Sequence, residues 1–177
     1  VNASGGEGVP AHDSAGSSCY RRSMPIPSVL FVCLGNICRS PLAEAAFRQA
    51  AAQAGLAAIA DSAGTGDWHV GNPPDRRAQA IALRHGIDIS AYRARQVERT
   101  DFDRFDQIFA LDGDNLTALR LFAPAGGRAR VSLLLDLVPG REGEAVADPY
   151  FGLDDGFDIT WRDVSAAARM LVARLQD

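Results

Sequence analysis

Residues 29–41 read Val29-Leu30-Phe31-Val32-Cys33-Leu34-Gly35-Asn36-Ile37-Cys38-Arg39-Ser40-Pro41. An apolar ribbon runs straight into two cysteines, a glycine, an arginine and a Ser-Pro pair. Residues 28–33 are too uniformly apolar for a half-solvated strand and read as one buried on both faces, as in a parallel sheet. A helix is expected over 41–54, with Ser40 as N-cap and Pro41 in the first position. On it Ala43, Phe47, Ala50 and Ala54 share a face, and Gly55 ends it.

Working outward, residues 57–63 read as a second, weaker strand, followed by a loop rich in Gly, Trp and Pro over 64–74. A helix is expected over 75–85, stopped at Gly86, then a third strand over 107–111 and a short helix over 113–122. A fourth strand is expected over 130–137. A loop over 139–156 carries Asp148-Pro149-Tyr150-Phe151, and a long helix over 157–176 closes the chain. Its stripe of Val164, Ala168, Leu171, Val172 and Leu175 reads as core. Strands alternating with helices give an α/β fold, a three-layer sandwich with a central four-stranded parallel sheet flanked by helices. Ligands in such folds sit beyond the carboxyl ends of the strands, and Cys33 lies at such an end.

The chain has 177 residues, 47% of them hydrophobic, enough for one cored domain. A net charge of −4 argues against a general nucleic-acid or membrane-surface binder. Arginine supplies every Lys/Arg position, so lysine chemistry such as a Schiff base is excluded; with the abundant alanine this suggests a GC-rich, bacterial genome. Three cysteines do not make a disulfide scaffold, and a reducing, cytoplasmic home is expected. No run approaches the roughly 18 apolar residues of a membrane span. Residues 1–23 lack the apolar centre of a signal peptide. They read as a flexible tail or an expression remnant ahead of a domain over 24–177, with Met24 a plausible start and Cys19 without a structural role.

Cys33 and Cys38 could be metal ligands, a disulfide, a strand-end core thiol or a nucleophile. Two thiolates need further ligands, and His12, His69, His85 and Cys19 are not in zinc-like spacing, so no metal or cofactor is expected. Five residues separate Cys33 from Arg39, and a helix then begins. A loop of that length can converge its backbone N–H groups on one point, at which the helix also aims its positive end. Arg39 adds a planar fork matched to two phosphate oxygens. Leu34, Gly35, Asn36, Ile37, Cys38 and Ser40 would complete a cradle for a phosphate-sized dianion above Cys33, whose thiolate the same field favours. Ser40 could donate a hydrogen bond to the departing thiolate as well as cap the helix, and Gly35 and Asn36 suit a loop that needs positive φ. Asp148-Pro149 read alone is a plain turn.

The run Cys33-Leu34-Gly35-Asn36-Ile37-Cys38-Arg39-Ser40-Pro41 resembles the active-site loop of low-molecular-weight protein tyrosine phosphatases. The resemblance extends over about residues 28–176 and includes Asp61-Ser62, Asp67-Trp68, Arg84-His85-Gly86-Ile87, Ala94-Arg95-Gln96-Val97 and Asp148-Pro149-Tyr150. It implies phosphotyrosine hydrolysis through a phosphocysteine, with Cys33 as nucleophile, Arg39 as phosphate clamp and Asp148 as general acid. Trp68, Tyr150 and Phe151 would wall the cleft. Phe151 stands where the family more often has a second tyrosine. Ser62 and His85 would brace the loop at Asn36, and Asp112 would orient Arg39 or cap a helix. Cys38 would be either a reversible disulfide partner for Cys33 or a small buried filler.

Other readings exist. A thiol-dependent arsenate reductase of this fold needs cysteines downstream of Cys38, and there are none. A protein-arginine phosphatase of the family carries threonine at the position of Ile37. A phosphotyrosine-binding module would lack one of Cys33, Arg39 and Asp148, and a redox sensor would use the two thiols alone. Bacterial relatives oppose tyrosine kinases of polysaccharide export or act as secreted effectors, and these residues leave both open. The expected partners are phosphotyrosine proteins, with such a kinase among them, and an oxyanion in the loop.

Overall fold

The computed structural model describes residues 25–152 and 155–177. The expected tail over 1–23, with His12, Cys19 and the candidate start Met24, lies outside the described residues.

Four strands form one all-parallel sheet: β1 (Ser28–Cys33), β2 (Ile59–Gly64), β3 (Gln107–Ala110) and β4 (Arg130–Leu133), in the order β2-β1-β3-β4. The helices are α1 (Arg39–Gln53), α2 (Arg76–Arg84), α3 (Asp101–Arg104), α4 (Gly113–Phe122) and α5 (Asp155–Gln176). All six β1 residues are buried, because a central parallel strand has a covered layer on each side. Alternation divides them. Val29, Phe31 and Cys33 join the cluster under α1 and α5, where Phe31 packs 5.9 Å from both Phe47 and Phe109. Leu30 and Val32 face the opposite way, toward Phe102, Phe105 and Leu119.

Three local differences from the sequence reading have physical causes. First, α1 begins at Arg39, with Cys38 in the cap position and making no side-chain cap bond. Ser40 is therefore not the N-cap. Its hydroxyl is turned into the core beside the Cys33 sulfur. Pro41 then sits third in the helix, where a missing N–H is still harmless. Second, the expected fourth strand over 130–137 splits. Leu133 pairs with Ala110, the last residue of β3, so the edge strand has no partner beyond it. Residues Leu134–Leu137 form a 3-10 turn instead, which buries Leu134 and Leu135. Third, the sequence reading contains no counterpart of α3, whose four residues are too few for a periodic signal.

The chain leaves β1 toward β2 on one side and leaves β3 toward β4 on the other, so connections diverge at the carboxyl ends of β1 and β3. A crevice opens at such a switch point. The loop after Cys33 and the turn at Asp112 flank it.

Candidate active site

Cys33 ends β1 with its side chain buried. Its sulfur accepts a hydrogen bond from the Asn36 amide at 3.3 Å and lies 3.1 Å from the Ser40 hydroxyl. Asn36 is the one non-glycine residue with positive φ among the described residues, at 55°. Left-handed backbone is unfavourable for most side chains, and asparagine tolerates it best. Here the side chain also holds the conformation: Nδ2 donates to Ser40 Oγ at 2.8 Å, and Oδ1 accepts from the Arg95 amide at 2.9 Å.

The Arg95 amide reaches Asn36 because residues 94–97 run alongside the end of β2. Gly64 donates to the Arg95 carbonyl and accepts from the Val97 amide. A side chain at Gly64 is barred, since a Cβ there would lie 2.8 Å from the Leu34 carbonyl oxygen and 3.2 Å from the Asn36 nitrogen. Arg95 is in turn fixed by Asp61 at 2.9 Å and by the fully buried Asp101 at 2.9 Å.

The side chain of Arg39 is 4% exposed and bridges three segments. Nη1 donates to Asp112 Oδ2 at 2.5 Å and to the Val146 carbonyl at 3.3 Å, while Nη2 donates to Asp148 Oδ2 at 3.0 Å. Burial opposes its charge, but Cys33, Asp112 and Asp148 outweigh that and raise its pKa further. Asp112 uses both oxygens: Oδ2 accepts from Arg39, and Oδ1 caps α4 by accepting from the Asn115 amide at 2.7 Å. Asp148 also uses both oxygens, since Oδ1 accepts from the Tyr150 amide at 3.1 Å. Pro149 follows it and is buried, fixing where the acid leaves the backbone.

Cys33, Arg39 and Asp148 open onto one cavity of about 250 Å³. The loop residues Leu34, Gly35, Ile37 and Cys38 line its floor, and Trp68, Tyr150 and Phe151 line its walls. Trp68 is 62% exposed and Phe151 96%, so these rings form a rim rather than core. The Trp68 ring lies across Gly66, where a Cβ would come within 2.2 Å of it. His69 also lines the cavity, with its ring 6.5 Å from that of Tyr150. No sequence signal distinguished it, as it follows Trp68 in an irregular loop.

Ser62 and His85 do not brace Asn36. The Ser62 hydroxyl donates to the buried Glu44 at 2.7 Å. His85 caps the end of α2 and stacks on Trp161 with centroids 4.7 Å apart. Ser40 and the Arg95 backbone take the place assigned to them. Arg95 stood in the quoted Ala94-Arg95-Gln96-Val97 stretch, but a role played by a backbone N–H leaves no side-chain signature.

Residues 28–177 match the family model for low molecular weight phosphotyrosine protein phosphatase. The low molecular weight protein-tyrosine-phosphatase YfkJ of Bacillus subtilis is 44% identical over 151 residues, covering 84% of this chain and 96% of that one. Its crystal structure superposes with a TM-score of 0.80, covering 87% of this chain and 97% of that chain. The low molecular weight phosphotyrosine protein phosphatase of Schizosaccharomyces pombe is 48% identical over 132 residues, covering 73% of this chain and 84% of that one.

The chain belongs to the low molecular weight phosphotyrosine protein phosphatase family.

As a member of the low molecular weight phosphotyrosine protein phosphatases it is an enzyme, a phosphoric monoester hydrolase acting on phosphotyrosine. No helix among the described residues is long and apolar enough to cross a membrane.

Proposed function

We propose that hydrolysis proceeds through a phosphocysteine on Cys33, with Arg39 as the clamp for the phosphoryl oxygens and Asp148 as the proton donor. The observation that carries this reading is that Cys33, Arg39 and Asp148 open onto one aromatic-walled cavity, with Arg39 bonded to Asp148. The thiolate forms an S–P bond as the P–O bond to the tyrosyl oxygen breaks. The departing oxygen takes that bond's electron pair and receives the Asp148 proton. Water then attacks phosphorus, giving its proton to the Asp148 carboxylate. The S–P pair returns to sulfur, and the Ser40 hydroxyl, 3.1 Å away, donates to the regenerated thiolate. Loose phosphoryl-transfer transition states need little covalent help, so a rigid Arg39 and oriented loop amides do most of the work.

The aromatic rim fits the long phosphotyrosine side chain, which reaches the sulfur where phosphoserine falls short. The physiological substrates are phosphotyrosine proteins, including a bacterial tyrosine kinase, and the enzyme acts in the cytoplasm, where Cys33 stays reduced.

Asp148→Asn tests the acid. It is expected to lower kcat/KM for phenyl phosphate about 10²-fold, since a phenol of pKa ≈ 10 leaves poorly without a proton. The loss on 4-nitrophenyl phosphate, whose leaving group is far more acidic, is expected to be much smaller. Equal losses on the two substrates would exclude Asp148 as the donor.

Cys38 shares the cavity with Cys33, and both are free thiols. Burial, then Asp75 and Cys33, push the Cys38 thiol well above its ordinary pKa. We assign it the role of closing a disulfide on oxidised Cys33. Only its thiolate attacks, so closure after peroxide is expected to quicken about tenfold per pH unit through the neutral range. Mass spectrometry of quenched samples reads the Cys33–Cys38 peptide. A Cys33 sulfinic acid with no bridged peptide at any pH would remove the protective role.

A further inference from the structure

The acid loop is tied on its two sides by different means. Upstream of Asp148, the Val146 amide donates to the Leu111 carbonyl at 2.8 Å, and Thr160 Oγ1 donates to the Ala147 carbonyl at 3.3 Å. Downstream, among the described residues, the hydrogen bonds that join residues 149–152 to another element all come from Arg77. Nη2 donates to the Tyr150 carbonyl at 3.0 Å, and Nη1 to the Gly152 carbonyl at 3.2 Å. Tyr150 is the residue whose amide holds Asp148 Oδ1. One end of Tyr150 is therefore gripped by Arg77 while its other end orients the acid.

Arg77 is itself rigidly held. Its guanidinium lies 4.7 Å over the buried Phe157 ring. Nε and Nη2 donate to the two oxygens of Asp75, at 3.1 and 3.0 Å. Burial would raise the pKa of Asp75, but the Arg77 hydrogen bonds outweigh this and hold it below the usual carboxylate value. The Asp75 amide donates to the Ile37 carbonyl, inside the phosphate loop, at 2.8 Å. A continuous strut thus runs from Ile37 through Asp75 and Arg77 to Tyr150 and Asp148. Arginine suits this task, since its planar fork serves one carboxylate and two carbonyls at once.

We propose that Arg77 is a positioning residue for catalysis: by gripping Tyr150 it sets Asp148 against the leaving oxygen and couples the acid loop to the phosphate loop. This rests on Asp148 being the proton donor. An acid displaced by a fraction of an ångström transfers its proton poorly, and the loss falls on leaving groups that need the proton.

The test measures kcat/KM for phenyl phosphate and 4-nitrophenyl phosphate with Arg77→Met, in the parent and in Asp148→Asn. Arg77→Met is expected to lose about tenfold on phenyl phosphate and under about twofold on 4-nitrophenyl phosphate. In the Asp148→Asn background the selective loss is expected to vanish, as it does for residues acting through one group. Arg77→Lys keeps the charge facing Asp75 but only point donors, and is expected to show the same selectivity at about threefold; it stands in if the methionine variant does not fold. Equal losses on the two substrates, or a selective loss that persists beside Asp148→Asn, overturn the role of Arg77 and leave the reading of Asp148 intact. A lack of selectivity in Asp148→Asn alone overturns both.

Discussion

Cys33→Ser is expected to fold as the parent does and to lose turnover of phenyl phosphate by at least about 10⁴-fold, the scale on which removing a covalent nucleophile acts. The substitution exchanges one buried acceptor for another. The Asn36 amide and the Ser40 hydroxyl, at 3.3 and 3.1 Å from sulfur, would find an oxygen to bond, so little stability is lost. Chemistry suffers instead, because an alcohol is a far weaker nucleophile than a thiolate. The bonds to that sulfur come from an amide and a hydroxyl, which steady a thiolate but cannot activate an alcohol. Arg39 and the loop are untouched, so phosphotyrosine peptides are expected to bind with affinity close to the parent's KM. Steady-state kinetics, peptide binding and thermal unfolding check the three parts. Turnover within about tenfold of the parent, with unchanged unfolding, would end the nucleophilic reading of Cys33.

The parts of this site that a reader of the sequence could find are those set by covalent spacing. Cys33 and Arg39 stand five loop residues apart and open onto one cavity, and β1 announces itself by having no polar face. The parallel sheet follows from alternating strands and helices, and the helix over 113–122 is bounded as its sequence indicates. What stayed hidden depends on pairing across the chain. Ser40 reads equally as an N-cap or as a hydrogen-bond partner of the Cys33 sulfur, and only the packing of its hydroxyl against that sulfur and the Asn36 side-chain amide decides between them. The second half of 130–137 is apolar enough for a strand, but β3 ends at Ala110 and offers no further ladder. The family resemblance points to the side chains of Ser62 and His85, while the brace on Asn36 is the Ser40 hydroxyl and the backbone of Arg95. Arg77 was invisible for a similar reason, since it acts on carbonyls some 75 residues away, and a carbonyl has no sequence identity.

Arg39→Lys tests how much of catalysis is geometry rather than charge. It is expected to lower kcat and kcat/KM for phenyl phosphate together, on the order of 10³-fold or more, with KM nearly unchanged. Lysine keeps the positive charge that Asp112 faces, so the fold is expected to persist. It cannot keep the fork. Arg39 reaches Asp112 and Val146 with one nitrogen and Asp148 with another, which fixes the plane of the guanidinium. A planar donor pair held in that orientation meets two phosphoryl oxygens at once, whereas an ammonium is a single point of charge on a flexible stem. Losing one preorganised donor to a transition-state oxygen costs about 10²–10³ in rate, and this change removes a pair together with its alignment. The phosphoryl oxygens flatten into the equatorial plane during transfer, so a fork aligned to that plane binds the transition state better than the ground state. That is why the effect is assigned to kcat rather than KM. A rise in KM with kcat preserved would show that Arg39 only captures the dianion. A loss under about tenfold would show that charge alone suffices, and the rigid three-way anchoring of Arg39 would then serve the fold and not the reaction.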